Sequence, residues 1–143
     1  MRKFKAQDIS FANIIKFFNS SVKKFKKAEK VLSIDEESAY QMFYEAMLKA
    51  SLALMLSYGF RPRSLPGHHV NIIEFSTKKL GQRYIEIMNT FNKMRRKRNQ
   101  VIYEADIEIT EKEANNALKT AREYLLIIKR HINSNNPQLN LKF

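Results

Sequence analysis

The chain has 143 residues, with 26 Lys and Arg against 14 Asp and Glu, for a formal charge of +12 at pH 7. Its length fits one domain with one core. The absence of cysteine excludes disulfides, thiolate nucleophiles and cysteine-ligated metal centres, and three Gly and three Pro are too few for a β-rich fold full of tight turns. We therefore read residues 1–143 as one all-α domain. The charge favours a polyanionic partner, although it does not by itself separate RNA, DNA, a nucleotide, anionic lipid or an acidic protein.

Phe11, Ile15, Phe18, Val22, Phe25 and Leu32 recur at helical spacing among lysines, which predicts an amphipathic first helix with a core-facing stripe, started by Asp8 or Ser10. A second helix is predicted from Asp35 to Tyr58, closed by Gly59. From Ala46 to Tyr58 only Lys49, Ser51 and Ser57 interrupt its apolar run, so it is expected at the centre of the bundle. Pro62, Pro66 and Gly67 mark a loop between Arg61 and Gly67, and a shorter helix follows from His68 or His69 to Leu80, closed by Gly81.

The fourth helix runs from about Gln82 to Tyr103, with Ile87, Phe91, Met94, Arg98 and Val101 on one seam. Glu104, Asp106 and Glu108 then lead to Thr110 and Glu113, a capping-box pair opening a fifth helix. That helix is marked by Ala114, Ala117, Leu118, Ala121, Leu125, Ile128 and Ile132, and residues 133–143 are expected to be a flexible tail. Short connections make the whole a single-domain, five-helix up-and-down bundle. No apolar stretch approaches the roughly 20 residues of a bilayer crossing, and no signal peptide is legible, so a cytoplasmic protein with no membrane partner is expected.

Residues 1–30 carry nine basic and two acidic side chains, and residues 61–100 carry ten and two. Within the second group Arg95, Arg96, Lys97 and Arg98 are consecutive, so a helix spreads them around its cylinder and at least one meets the core. The seam assigns that place to Arg98. A guanidinium there either snorkels to the edge or is kept to hold an anion with its planar donor fork. Asn99 and Tyr103 share a face next to it, offering donors and a stacking surface for a phosphate or a base.

Three stretches carry a family likeness: Arg98 to Tyr103 before an acidic segment and a capped helix, Ala39 to Ala46 with its aromatics and alanines, and Pro66 to His69 at a loop-to-helix junction. In their order and spacing, over about Ser10 to Ile132, they resemble the HEPN domain, a helical domain shared by higher eukaryotes and prokaryotes. The resemblance implies a homodimer with a cleft between subunits. It also implies RNA or nucleotide binding, and a nucleotidyltransferase partner in a toxin–antitoxin or defence setting.

Carried onto this chain, the degenerate motif comprises Arg98, Asn99 and Tyr103 at the catalytic position, with Arg95, Arg96, Arg98, His68 and His69 as nucleic-acid-binding residues. Where HEPN ribonucleases have a histidine four to six residues after the arginine, this chain has Tyr103. A phenol with an ordinary pKa near 10 is a poor base at neutral pH, whereas phosphate binding by Arg98 and Asn99 survives the exchange. Binding without turnover is the first reading. A metal-independent endoribonuclease using Tyr103 or a borrowed histidine is the second, and a non-catalytic homodimeric interaction module the third. His68 and His69 are read first as a capping and an exposed residue at a helix start. Neither they nor the spaced carboxylates have metal-ligand spacing, and no cofactor is implied.

Overall fold

Ser10 starts the first helix by accepting from the Asn13 amide at 3.3 Å, Asp35 starts the second by accepting from the Glu37 amide, and Thr110 and Glu113 close a reciprocal capping box on the fifth. The structure, a computed structural model, describes residues 4–6, 10–62 and 68–143. Its five helices are α1 (Phe11–Val31), α2 (Glu36–Ser57), α3 (His68–Leu80), α4 (Ile85–Tyr103) and α5 (Glu111–Asn135). They follow the predicted order, and the fold is the all-α, five-helix bundle expected. Asp8 and residues 63–67 of the predicted loop lie outside the described residues. A short antiparallel ribbon, β1 (Phe4–Ala6) with β2 (Phe60–Pro62), pairs Lys5 with Arg61 and takes in the first residues of that loop.

α2 is buried from Ala46 to Ser57 except at Lys49 and Leu52, as an apolar helix surrounded by partners must be. Its hydroxyls are satisfied in place. Ser51 donates to the Met47 carbonyl at 2.9 Å and meets the hydroxyl of the fully buried Tyr124 at 2.6 Å. α1 packs along α2 by part of the predicted stripe, since Phe18 and Phe25 are buried and Val22 and Leu32 pack against the core. Ile14, Phe18, Ser21, Phe25 and Ala28 are buried, while Phe11 and Ile15 are 37% and 39% exposed. The buried set contains two small residues, and Ser21 crosses the contact by donating to the Ala46 carbonyl at 2.6 Å. The predicted stripe differs from the buried face at its start, where Ile14 and not Phe11 or Ile15 turns inward, and at the small residues Ser21 and Ala28.

Gly59 and Gly81 both have positive φ, 79° and 85°, which glycine adopts without steric cost. Gly81 ends α3 and feeds a single 3₁₀ turn, Gln82–Tyr84, before α4, so the predicted fourth helix begins with a tighter turn. On α4, Met88, Phe91 and Met94 are buried and Ile87, Arg98 and Val101 half-buried, in agreement with the predicted seam.

Residues 133–143 are not the free tail expected. α5 continues to Asn135, and the chain beyond turns back with Leu139 and Leu141 buried and Phe143 edge-on to Phe25 at 5.3 Å. Asn133 fixes this return, because its Nδ2 donates to the Leu141 carbonyl at 3.1 Å and its Oδ1 accepts from the Leu141 amide at 2.9 Å. Replacing Asn133 with Ala should lower unfolding stability by about 1–2 kcal/mol. An unchanged urea midpoint would show that the return is not held by that amide.

Candidate functional site

Consecutive cations on α4 part company as the helix turns. Lys97 leaves toward α5, its Nζ 3.3 Å from Glu113, and Arg96 is exposed. Arg95 is half-buried, its Nε donating to Asn92 Oδ1 at 2.9 Å one turn earlier. Arg98 meets α2, with its Cζ 5.6 Å from the centroid of the Tyr44 ring. An aromatic face attracts a guanidinium through its quadrupole, but that contact satisfies no N–H. Arg98 Nε is buried and has no hydrogen-bond partner among the described residues. An orphaned buried donor of this kind is costly and calls for an explanation.

Tyr44 is wholly buried on α2, against Phe91 of α4 at 5.6 Å. Its hydroxyl shares a hydrogen bond of 3.2 Å with His69 Nδ1 in the first turn of α3. Three helices therefore meet at Tyr44, His69 and Arg98. His68 is exposed and packs edge-on against His69, with ring centroids 4.5 Å apart. The structure thus brings His69 beside the motif arginine, a placement that periodicity could not supply, and the reading of the pair as a simple helix start accounts for His68 alone.

The electrostatics of the cluster follow from burial and like charge. Burial, then the charges of His68, Arg98 and Arg95, push His69 down to about 4, with Glu45 opposing. Burial raises the Tyr44 hydroxyl well above the ordinary phenol value, against the pull of Arg98 and Arg95. At neutral pH the cluster is a neutral imidazole and a neutral phenol beneath two guanidinium groups. No carboxylate is paired with either arginine among the described residues.

The remaining motif residues are less engaged. Asn99 is half-buried and Tyr103 is 82% exposed, and neither side chain makes a hydrogen bond or ring contact with another described residue. Tyr103 therefore shares the helix end with Arg98 without joining it. Glu104, Asp106 and Glu108 are exposed, and no group of three His, Cys, Asp or Glu that could hold a metal occurs among the described residues. His131 is half-buried on α5, with Nε2 2.6 Å from the Tyr58 hydroxyl. Sequence reasoning missed Tyr44 as a site residue. Its only signal was an aromatic at a position that reads equally well as core.

A bundle around one apolar helix, with a basic site where three helices meet, defines the class. The family model of the HEPN domain matches residues 16–131, and the chain belongs to that family. Membership points to an RNA-related or nucleotide-binding role. A comparison with curated proteins finds no match.

His69 should titrate by NMR with a midpoint near pH 4, and Arg98→Ala should move that midpoint up by removing a positive neighbour. Because the folded-state value is depressed, its contribution to stability is complete above the unfolded value of roughly 6.5 and is lost as pH falls from there toward about 4. A midpoint near 6.5 in the folded protein would mean that His69 is neither buried nor near the cations.

Proposed function

We propose that the chain binds RNA or a nucleotide by holding a phosphate at Arg98, with His69 and Arg95 beside it, and that it does so without turnover. The observation that carries this is the buried, unpartnered Nε of Arg98. A phosphate oxygen would satisfy that donor with a charge-assisted bond and balance two arginines that no carboxylate pairs among the described residues. With Tyr44 donating to His69 Nδ1, the Nε2–H of the imidazole becomes a further donor to the anion. Asn99 and the exposed His68 are donors that orient the ligand, and Arg96 with the surplus positive charge of the chain supplies the approach field. In the homodimer that the family resemblance implies, two copies of this site share one cleft, and the exposed Ile102 and Tyr103 at the end of α4 suit a covered surface. A nucleotidyltransferase partner, a toxin–antitoxin or defence setting and a cytoplasmic location belong to the same proposal. No helix among the described residues is long and apolar enough to cross a membrane.

The test is the affinity for a fluorescein-labelled single-stranded RNA at low salt. Arg98→Ala should weaken binding roughly 10- to 100-fold, the worth of a charged hydrogen-bond pair, and Arg98→Lys should recover only part because the planar fork is lost. Wild-type affinity in Arg98→Ala overturns the proposal. Binding should also tighten between pH 7 and pH 5, since a bound phosphate favours protonated His69, and His69→Phe should abolish that slope.

The placement of His69 next to Arg98 favours one second reading, a metal-independent ribonuclease with a borrowed histidine. It needs the opposite tautomer, Nδ1–H donating to Tyr44 and Nε2 accepting the proton of a 2′-hydroxyl. RNA cleavage in EDTA that disappears in both His69→Phe and Arg98→Ala would establish it. Equal trace cleavage in all three proteins removes it.

A further inference from the structure

A cleft of about 290 Å³ runs between α3 and α4 beside the cationic cluster. Val70, Ile73 and Met88 give it an apolar floor, and Asn89, Asn92 and Arg95 line it with polar groups. Arg95 belongs to both places. It lines the cleft, and its charge acts on His69 and Tyr44. Residues three apart on a helix are surface neighbours, so Arg95 and Arg98 lie side by side with the cleft on the Arg95 side. The amide of Asn89 makes no hydrogen bond with a described residue, and the only one made by Asn92 is the bond its Oδ1 accepts from Arg95.

These features match one ligand chemistry. A nucleobase is apolar on its faces and polar at its edge, so it needs an aliphatic floor, a few amides and a flat cation to stack on. Asparagine pairs in a bidentate manner with the N6 and N7 edge of adenine, and a guanidinium plane stacks on a base. Glu74 also lines the cleft. Lys78 and Thr77 lie on the same lining, so the cleft offers both acceptors and donors around its apolar floor, as the edge of a base requires. The cleft volume is just below the roughly 300 Å³ at which drug-sized sites begin, which suits one ring system rather than an extended ligand.

We propose that the α3–α4 cleft is the base subsite of the nucleotide whose phosphate is held at Arg98, with Arg95 bridging the two and Asn89 and Asn92 reading the edge of an adenine. The inference rests on the phosphate reading above. Its test separates the two by titrating the full chain, carrying methyl-labelled Met and Ile, with AMP and with ribose 5-phosphate. Both ligands should move the His69 ring signals, because both carry the phosphate. Only AMP should move the methyls of Met88 and Ile73, and it should bind roughly 10- to 100-fold more tightly, the usual worth of one seated base.

Asn89 is exposed and its side chain bonds to no described residue, so Asn89→Ala leaves folding intact. It should weaken AMP several-fold and leave ribose 5-phosphate unchanged. Equal affinities for the two ligands with still Met88 and Ile73 methyls overturn the base subsite while the phosphate site stands. Failure of both ligands to move His69 overturns the phosphate reading. Methyl shifts with AMP that persist unchanged in Arg98→Ala overturn the coupling between the two.

Discussion

α2 has almost no face to offer water, and the rest of the molecule is arranged around that constraint. An apolar helix buried over most of its length must be enclosed by neighbours, so α1, α3, α4 and α5 each lay a stripe against it. Enclosure forces every polar atom on α2 to find a partner inside the bundle. Ser51 finds Tyr124, and Lys49 escapes to the edge, where its Nζ donates to Ser20 Oγ at 3.0 Å. Tyr44 is the same problem solved by a histidine. The start of α3 covers it and supplies His69 to its hydroxyl, while the end of α4 covers its ring with Arg98. The candidate site is therefore a product of core packing, which gives it rigidity that a loop would lack.

The positive character of this site differs in kind from that of the first helix. The lysines of α1 sit largely in solvent, where salt screens them and water repays their charge. Arg98 is half-removed from water and contributes one donor to nothing. A field from partly desolvated guanidinium groups is screened less and is directional, because the fork is held by the Tyr44 face. Burial keeps the neighbouring phenol from ionising, so it does not repel a phosphate, and the neutral imidazole adds hydrogen-bonding capacity.

The helix limits were legible in the sequence because they are set locally, by Ser10, Asp35 and Thr110 at the starts and Gly59 and Gly81 at the ends. Arg98 was legible as a cation on an apolar seam. What sequence could not supply depends on contacts between distant residues. His69 and Tyr44 are 25 positions apart and meet only through packing. The face of α1 was legible at Phe18 and Phe25 but not at Ser21 and Ala28, small residues whose burial periodicity does not signal beside Phe11 and Ile15. Residues 133–143 read as polar and frayed, since the pairing of Asn133 with Leu141 is invisible without the fold.

Gly81 lends the molecule a point of geometric control far from any ligand. It sits at φ 85° between α3 and the turn into α4, and a Cβ built on it would meet nothing within 4 Å. Room is available, yet the backbone angle is one that other residues adopt only under strain. A side chain at this junction would therefore be opposed by the torsion and not by a steric stop. The join between the two walls of the cleft thus depends on the one residue type that bears that angle freely, although the residue itself touches neither wall's side chains.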